Sequence, residues 1–295
     1  MRFTVFTPAY NRGYCIEKLF RSLQRQSFRD FEWVIVDDGS TDDTEARIAA
    51  FQKEEQSFPI RYQKVENGGK HRANNLGVRL ARGELFTCVD SDDYLTDDAL
   101  ESIDRVEKSI PPEEKPRFAG VCGQKCGPDL LPLKGSFAGP GYLDMTYIER
   151  LRNEIVGDCS EVLYTEVWRK YPYAEFPGEN FLTEATALYE MAADGLKMRF
   201  FNLPIKIIEY LPDGLTASSK ERFRKNPRGW GLYIYDRIQY GQLKGPGKWD
   251  VIGDYYLLCK DRLSVREMAE ILHMNPALFR VKLSETLLKF RLHLR

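Results

Sequence analysis

A short apolar run in this chain ends abruptly in a cluster of acids. The run Leu85 to Val89 predicts a buried strand, and Asp90, Asp92 and Asp93 follow it directly. Carboxylates this close repel one another unless a positive charge lies beside them. A divalent cation meets this need, because hard cations bind carboxylate oxygens and share their ligand shell with substrate phosphates. The alternative is an ordinary acidic turn, in which Asp93 caps a helix that begins near Thr96.

Two earlier apolar runs also end in polar loops. Phe3 to Phe6 leads into Thr7-Pro8-Ala9-Tyr10-Asn11-Arg12, and Phe31 to Val36 leads into Asp37-Asp38-Gly39-Ser40-Thr41-Asp42. In an open α/β sheet, ligands bind at the carboxyl ends of the strands. Acidic loops at two of these strand ends therefore predict one shared ligand site at that edge of a sheet.

The wider pattern alternates strands with helices in the first half of the chain. Strands are predicted at 3–7, 31–36, 60–64, 85–89 and 117–121, and helices at 14–26, 41–56, 73–81 and 96–109. This alternation predicts a mostly parallel sheet with helices on both faces. In the second half, helices are predicted at 161–170 and 183–194. From Ser218 onward the pattern is helical, with a capping box at Ser264 to Glu267 and a helix start at Asn275-Pro276.

Four motifs in the first half resemble those of the family 2 glycosyltransferases in their order and spacing. They are Thr7-Pro8-Ala9-Tyr10-Asn11, Asp37 to Thr44, Asn67-Gly68-Gly69-Lys70 with Asn74-Asn75-Leu76-Gly77, and Asp90-Ser91-Asp92-Asp93. The match is dense up to residue 110 and looser beyond it. A later stretch, Glu209 to Thr216, resembles one found in capsule- and lipopolysaccharide-type bacterial members, although a plain Pro-Asp-Gly turn explains its sequence as well.

The resemblance implies the α/β GT-A fold, a Rossmann-like, mixed and mostly parallel sheet that binds a nucleotide sugar and is flanked by helices. We therefore expect a GT-A domain over residues 1–215, with a nucleotide-binding half at 1–110 and an acceptor half at 111–215. Residues 216–295 are expected to form a helical C-terminal extension.

The resemblance also implies a metal-dependent, inverting glycosyltransferase of the hexosyltransferase type with a UDP-sugar as donor. The implied cofactor is Mn²⁺ or Mg²⁺, held by Asp90 and Asp92, with Asp92 as the direct ligand. Asp38 resembles the family aspartate that accepts a hydrogen bond from the N3–H of uracil. The residues implied to bind the rest of the donor are Thr7, Ala9, Asn11, Asp37, Gly69, Lys70, Asn74, Asp90 and Ser91.

The general base must come from the second half, where three carboxylates are candidates. Many family members carry Glu-Asp at the start of an acceptor-side helix, with the Asp as base, whereas this chain has Glu184-Ala185. Glu184 is the first candidate by its position, followed by Glu179 and Asp158. The alternative for Glu184 is a helix N-terminal charge that the helix dipole favours.

Two other functions compete with this interpretation. A nucleotidyltransferase also uses an α/β sheet with acidic metal ligands, but it normally has a Gly-rich phosphate loop after the first strand, where this chain has Pro8-Ala9-Tyr10-Asn11. A nucleotide-sugar-binding module without catalysis is the other alternative. Ala185 favours such a module, and the intact Asp90-Ser91-Asp92 disfavours it.

The composition limits the classes of binding partner that we expect for this chain. The net charge of −1 gives no global attraction for nucleic acid, so we expect none, and the expected acceptor is a saccharide or a lipid-linked saccharide. No apolar run is long enough to span a bilayer and the chain enters a strand at once, so a cytoplasmic location is expected. Residues 280–295 carry five Lys or Arg and one Glu among leucines. This tail either contacts the inner face of the plasma membrane peripherally or packs on its own protein.

Overall fold

The structure is a computed structural model that describes residues 1–54, 57–133, 141–152, 159–209 and 219–293. It divides into two compact units. The first unit comprises Met1–Pro172 and Glu190–Pro212, and the second comprises Tyr173–Tyr189 and Asp213–Arg295. The second unit therefore takes in a segment of the region that the sequence analysis expected to be the acceptor half.

One mixed sheet forms the centre of the first unit. Its strands in chain order are β1 (Phe3–Ala9), β2 (Phe31–Asp37), β3 (Ile60–Lys64), β4 (Leu85–Cys88), β5 (Tyr94–Leu95), β6 (Phe118–Cys126), β7 (Tyr142–Thr146), β8 (Cys159–Tyr164) and β9 (Lys197–Ile207). The spatial order is β3-β2-β1-β4-β8-β6-β9-β5, and β7 pairs with β9. The neighbours β3, β2, β1 and β4 run parallel, while β8 is antiparallel to both β4 and β6. The predicted α/β class is confirmed.

Helices surround this sheet. Those of the first unit are α1 (Ile16–Arg25), α2 (Thr44–Phe51), α3 (Lys70–Leu80), α4 (Ala99–Lys108), α5 (Tyr147–Arg152) and α6 (Thr165–Trp168). The helix α7 (Ala185–Ala193) contains the division between the units. Every residue of β2 is buried, as expected for a central parallel strand whose apolar run is covered on both faces. Phe20 and Phe51 stack with ring centroids 4.2 Å apart in the same core.

The second unit is helical. Its helices are α8 (Ser219–Lys225), α9 (Pro227–Gln239), α10 (Gly245–Cys259), α11 (Val265–Ile271) and α12 (Pro276–His293). The predicted capping box is confirmed, because the Ser264 hydroxyl accepts from the Glu267 backbone N–H and the Glu267 carboxylate accepts from the Ser264 N–H. Asn275 caps α12 by accepting from the N–H of Ala277 at 3.0 Å. In the described part of the chain, no helix combines the length and apolarity needed to cross a bilayer.

Two predicted helices are wrong in part. The segment predicted as a helix at 161–170 begins instead as β8, and only Thr165–Trp168 is helical. Val162 and Leu163 are fully buried in the ladders to β4 and β6, so tertiary pairing overrides the local helical pattern. The helix predicted from Thr96 begins at Ala99, because Tyr94–Leu95 pairs with β9. Asp93 therefore does not cap that helix.

Candidate functional site

The ends of β1, β2 and β4 bring the sequence motifs to one edge of the sheet. Ala9 lies opposite Asp37 in the β1–β2 ladder, and Phe6 lies opposite Cys88 in the β1–β4 ladder. Because these strands are parallel, the loops that follow them leave the sheet side by side. The structure thus places the first, second and fourth motifs together, as expected.

The two aspartates at the end of β2 hold backbone groups. Asp37 is fully buried, and its Oδ1 accepts from the Ser40 N–H at 2.7 Å while its Oδ2 accepts from the Tyr62 hydroxyl at 2.6 Å. Asp38 accepts from the N–H of Gly68 at 2.7 Å and of Gly69 at 2.8 Å. Burial raises the pKa of Asp38, and these two N–H groups partly offset the rise. Asp37 therefore orders its own turn, and Asp38 fastens the glycine loop to the sheet.

The glycine loop in turn directs Lys70 toward the acidic cluster. Gly69 has a φ of +96°, a conformation that L side chains rarely adopt, and α3 begins at the next residue. The Lys70 ammonium lies 2.7 Å from Oδ1 of Asp90 and 2.9 Å from Oδ2. A helix N-terminus and a lysine at one place favour an anion, so this corner is suited to phosphate groups.

The loop after β1 is tied to the loop after β2. Asn11 has a φ of +53°, and its N–H donates to the Ser40 hydroxyl at 2.8 Å. Its side-chain Oδ1 accepts from the Thr41 N–H at 2.8 Å, while the Ala9 carbonyl accepts from the Asp38 N–H at the same distance. These bonds hold the two loops as one rigid frame.

Two other donor-side candidates are buried. The Thr7 hydroxyl accepts from the Trp33 indole N–H at 2.9 Å inside the core, which leaves the backbone of Thr7 as its contribution to a site. Asn74, on α3, is 1% exposed, and its Oδ1 has no hydrogen-bond partner among the residues described. Buried polar atoms are nearly always paired, so Oδ1 of Asn74 is suited to a donor group of a ligand.

Opposing charges set the ionisation of the acidic cluster. Burial would raise the pKa of Asp90, but the charges of Lys70 and Lys206 outweigh it and lower that pKa to about 2. Burial and the charge of Asp90 raise the pKa of Asp92. Burial, Asp90 and Asp92 together raise the pKa of Asp93 to about 7, against the opposing charge of Lys206. Without a cation, the cluster is therefore short of positive charge.

The carboxylates of the acidic cluster fit a metal ion whose ligand shell is completed by a bound substrate. Within the described ranges, no group of three or more His, Cys, Asp and Glu side chains is placed to hold a metal by itself. Mg²⁺ in phosphoryl and nucleotide sites commonly takes only one or two carboxylates, with substrate phosphates and waters filling its shell. Asp92 is half-buried, and its carboxylate has no side-chain partner in the described part of the chain. The residues present fit such an ion, with Asp92 as its ligand and Asp90 paired to Lys70.

The candidates for the general base differ in their surroundings. Glu179 is 6% exposed and accepts from the N–H of Arg228 at 2.8 Å and of Gly229 at 2.9 Å, at the start of α9. Burial raises its pKa, and the two N–H groups partly offset the rise. Glu184 is exposed and directly precedes α7. Asp158 lies outside the described residues.

Sequence reasoning missed Lys206, which the structure places behind the acidic cluster. It is 6% exposed on β9, and its ammonium donates to the Cys88 carbonyl at 2.6 Å. The available indication was a single lysine within the apolar run Pro204 to Ile208. A charge in a buried strand requires a partner, and the partners come from a distant part of the sequence.

Replacement of Asp38 by Ala is expected to weaken UDP binding roughly tenfold to a hundredfold, the worth of one hydrogen bond to a charged acceptor. The thermal midpoint should also fall, because the N–H groups of Gly68 and Gly69 lose their acceptor. Metal dependence should persist. Calorimetric titration with UDP measures the effect, and Asp97→Ala, at an exposed aspartate paired with Arg25, is the control. An unchanged UDP affinity would exclude Asp38 from nucleotide binding.

The buried carboxyl of Asp93 predicts an unusual pH dependence of stability. Its pKa is about 7 in the folded protein, above the ordinary value of 3.8. The folded state then binds the extra proton between these values, so stability falls as pH rises through that window. In the presence of EDTA, Asp93→Asn should unfold at a higher temperature than the parent at about pH 8, and this difference should shrink steadily as the pH falls toward about 4. The control Asp97→Asn should unfold at the same temperature as its parent at both pH values. The same result for Asp93→Asn would contradict a proton on Asp93.

Comparison with known proteins finds matches to the first third of the chain. Residues 4–108 match the family described as Glycosyl transferase family 2, so the resemblance is confirmed over that segment. The glycosyltransferase GlyG of Streptococcus pneumoniae is 32% identical over 100 residues, which are 34% of this chain and 33% of that protein. The GalNAc(5)-diNAcBac-PP-undecaprenol beta-1,3-glucosyltransferase of Campylobacter jejuni is 34% identical over 106 residues, 35% of this chain and 33% of its own length. The matched segment thus spans about a third of each relative.

Solved structures show the same fold over more of the chain. S. aureus TarS 1–349, in complex with UDP-GlcNAc, superposes with a TM-score of 0.61 at 18% identity, covering 89% of this chain and 74% of that one. The mannosyltransferase PcManGT from Pyrobaculum calidifontis, in complex with GDP-Man and Mn²⁺, gives a TM-score of 0.52 at 17% identity, covering 98% and 74%. The GT-A architecture expected from the motifs is confirmed by these likenesses.

Proposed function

We propose that this chain, whose residues 4–108 match the family 2 glycosyltransferases, is an inverting glycosyltransferase that uses a UDP-sugar. The observation that carries the proposal is the edge of the sheet where hydrogen bonds join the loops that follow β1, β2 and β3. These loops lie beside the acidic cluster after β4 and beside Lys70 at the N-terminus of α3. This arrangement matches the two parts of a nucleotide diphosphate, since the loop frame suits a nucleoside and the charged corner suits its phosphates.

On the donor side, the residues bind and orient. The loop frame of Ala9, Asn11 and Asp38 is proposed to hold the uridine, with Asn74 presenting a buried acceptor. Lys70 is proposed to leave its ion pair with Asp90 and to bind the diphosphate when the donor enters. A Mn²⁺ or Mg²⁺ ion held by Asp92 would stabilise the charge that gathers on the leaving diphosphate.

On the acceptor side, one carboxylate must take a proton. The acceptor oxygen bonds to the anomeric carbon as the bond from that carbon to the UDP oxygen breaks, and the hydroxyl proton passes to the base. We assign this role to Glu184 from its place in the sequence and its exposure. Glu179 suits the role less, because both its oxygens already accept backbone N–H groups. Asp158 stays the third candidate.

A saccharide or a lipid-linked saccharide is the proposed acceptor. The Campylobacter relative is named for a PP-undecaprenol-linked substrate, and a third relative, TarS, is named for poly(ribitol-phosphate). A cytoplasmic enzyme that touches the inner membrane face peripherally would suit such acceptors. Val281 and Leu288 of the basic tail and the neighbouring Leu278 are exposed on α12, which supports that contact.

A thermal-shift screen tests the proposal as a whole. A ligand that binds only the native state increases the free energy of unfolding, by about 2.7 kcal/mol when it is present at a hundred times its dissociation constant. The thermal midpoint rises as a result. We expect UDP and one UDP-sugar to raise the midpoint more with Mn²⁺ than with EDTA. A response to nucleoside triphosphates alone would favour a nucleotidyltransferase. Binding of UDP-sugars without release of UDP in the presence of any glycan acceptor would favour a binding module that lacks catalysis.

A further inference from the structure

Lys206 spans both ends of the acidic loop, which we define as residues 89–93. Its backbone lies opposite Leu95 in the β5–β9 ladder, just after the loop. Its ammonium donates to the carbonyl of Cys88, just before the loop, at 2.6 Å. One residue of β9 therefore contacts the strand that enters the loop and the strand that leaves it.

The burial of Lys206 requires negative charge nearby. The side chain is 6% exposed, and a buried ammonium is costly unless acids or several acceptors compensate it. Its positive charge acts on Asp90 and Asp93, the two acids at the ends of the cluster. Lys125, opposite Lys206 in the β6–β9 ladder, is half-buried and adds to the same field.

Lys70 and Lys206 approach the cluster in different ways. The Lys70 side chain is 23% exposed and comes from α3, on the side that we propose for the diphosphate. Lys206 is buried, belongs to the sheet, and is held by a backbone carbonyl. Lys70 is thus able to exchange partners when a ligand binds, whereas Lys206 stays where it is.

We propose that Lys206 is a positioning residue, an internal counter-charge that holds the acidic loop in its folded geometry when no divalent cation is bound. The site meant for the cation is then formed in advance, and the cation does not have to order the loop. This inference rests on the proposed function for the purpose of the loop, but the charge coupling itself is independent of any nucleotide.

A double-mutant cycle in EDTA at about pH 8 tests the coupling, since residues that interact show non-additive effects on stability. Lys206→Met keeps the length of the side chain and removes its charge, so it should lower the thermal midpoint by several degrees. Asp93→Asn should raise the midpoint more in the Lys206→Met background than in the parent, because one repelling carboxylate is gone. Lys206→Arg should retain most of the parental midpoint.

The matched control is Lys197→Met, the same substitution at a half-buried lysine at the other end of β9. Its effect should add to that of Asp93→Asn without coupling. Additive effects of Lys206→Met and Asp93→Asn would overturn the proposal and leave Lys206 a packing residue. If Lys206→Met does not fold, folding of the double variant supports the coupling, and failure of both overturns it.

A second measurement separates this inference from the proposed function. Addition of Mn²⁺ with UDP should raise the midpoint of Lys206→Met more than that of Lys197→Met, because the cation replaces the missing charge. If the parent shows no response to UDP and Mn²⁺, the proposed function fails while the cycle in EDTA still decides the role of Lys206. If the parent responds and the cycle is additive, only the inference about Lys206 fails.

Discussion

Asp92→Asn is expected to abolish metal-dependent UDP binding while leaving the fold intact. Asp90 is paired with Lys70 and Asp93 is only 6% exposed, whereas Asp92 is half-buried and has no side-chain partner in the described part of the chain, so it is the group most open to a cation. Asn has the same size but binds Mn²⁺ and Mg²⁺ poorly, because these ions prefer charged oxygens. Titration calorimetry with UDP, in Mn²⁺ and in EDTA, measures the loss.

Two control variants make this result specific. Asp97→Asn, at an exposed aspartate two residues beyond β5 and paired with Arg25, should bind UDP as the parent does. Asp93→Asn should retain metal-dependent binding, since the buried Asp93 is not the proposed ligand. Parental affinity in Asp92→Asn would show that the metal assignment is wrong, and equal loss in Asp93→Asn would show that the cluster acts by its summed charge.

Glu184→Gln is expected to keep UDP-sugar affinity and to lose turnover. Gln preserves size and hydrogen bonding but cannot take a proton at neutral pH, and removal of a general base costs roughly a hundredfold or more in rate. Steady-state rates with a glycan acceptor, beside calorimetric affinity for the UDP-sugar, separate the two effects. The change should appear in kcat and not in donor binding.

Glu179→Gln and Asp158→Asn are the comparisons for this prediction. Glu179→Gln should lower the thermal midpoint, because an amide accepts with one oxygen and turns its NH₂ toward the second backbone N–H, a loss of about 1–3 kcal/mol. Its rate, measured on the folded fraction, should stay near the parental value. If the rate of one of these two variants falls to near zero while Glu184→Gln stays active, the general base is that residue. Activity in all three would place the base elsewhere.

Local sequence patterns were enough to predict those features whose interacting residues all lie in one short segment. Apolar runs followed by polar loops predicted β1, β2 and β4, and a parallel arrangement requires that their ends share an edge. The capping box at Ser264 and Glu267 was equally local, since its partners are three residues apart. These features depend only on the order of neighbouring residues, so the amino-acid sequence is enough to predict them.

Long-range pairing decided the features that sequence reasoning missed. The helix predicted at 161–170 became β8 because its residues complete ladders with β4 and β6. Asp38 fastens a loop 30 residues away, and the Thr7 hydroxyl is taken by Trp33. Each partner is remote in sequence, and local propensity carries no information about it.

Residue order places three acids after one strand and two more after another, and the family resemblance predicts a nucleotide-sugar site where these strands end. The balance of their charge becomes visible only in the folded chain. Lys70 reaches Asp90 from across a glycine loop, and Lys206 approaches from a strand more than a hundred residues later. Electrostatic compensation depends on distance and burial in space, and neither quantity is a property of neighbouring residues in the chain.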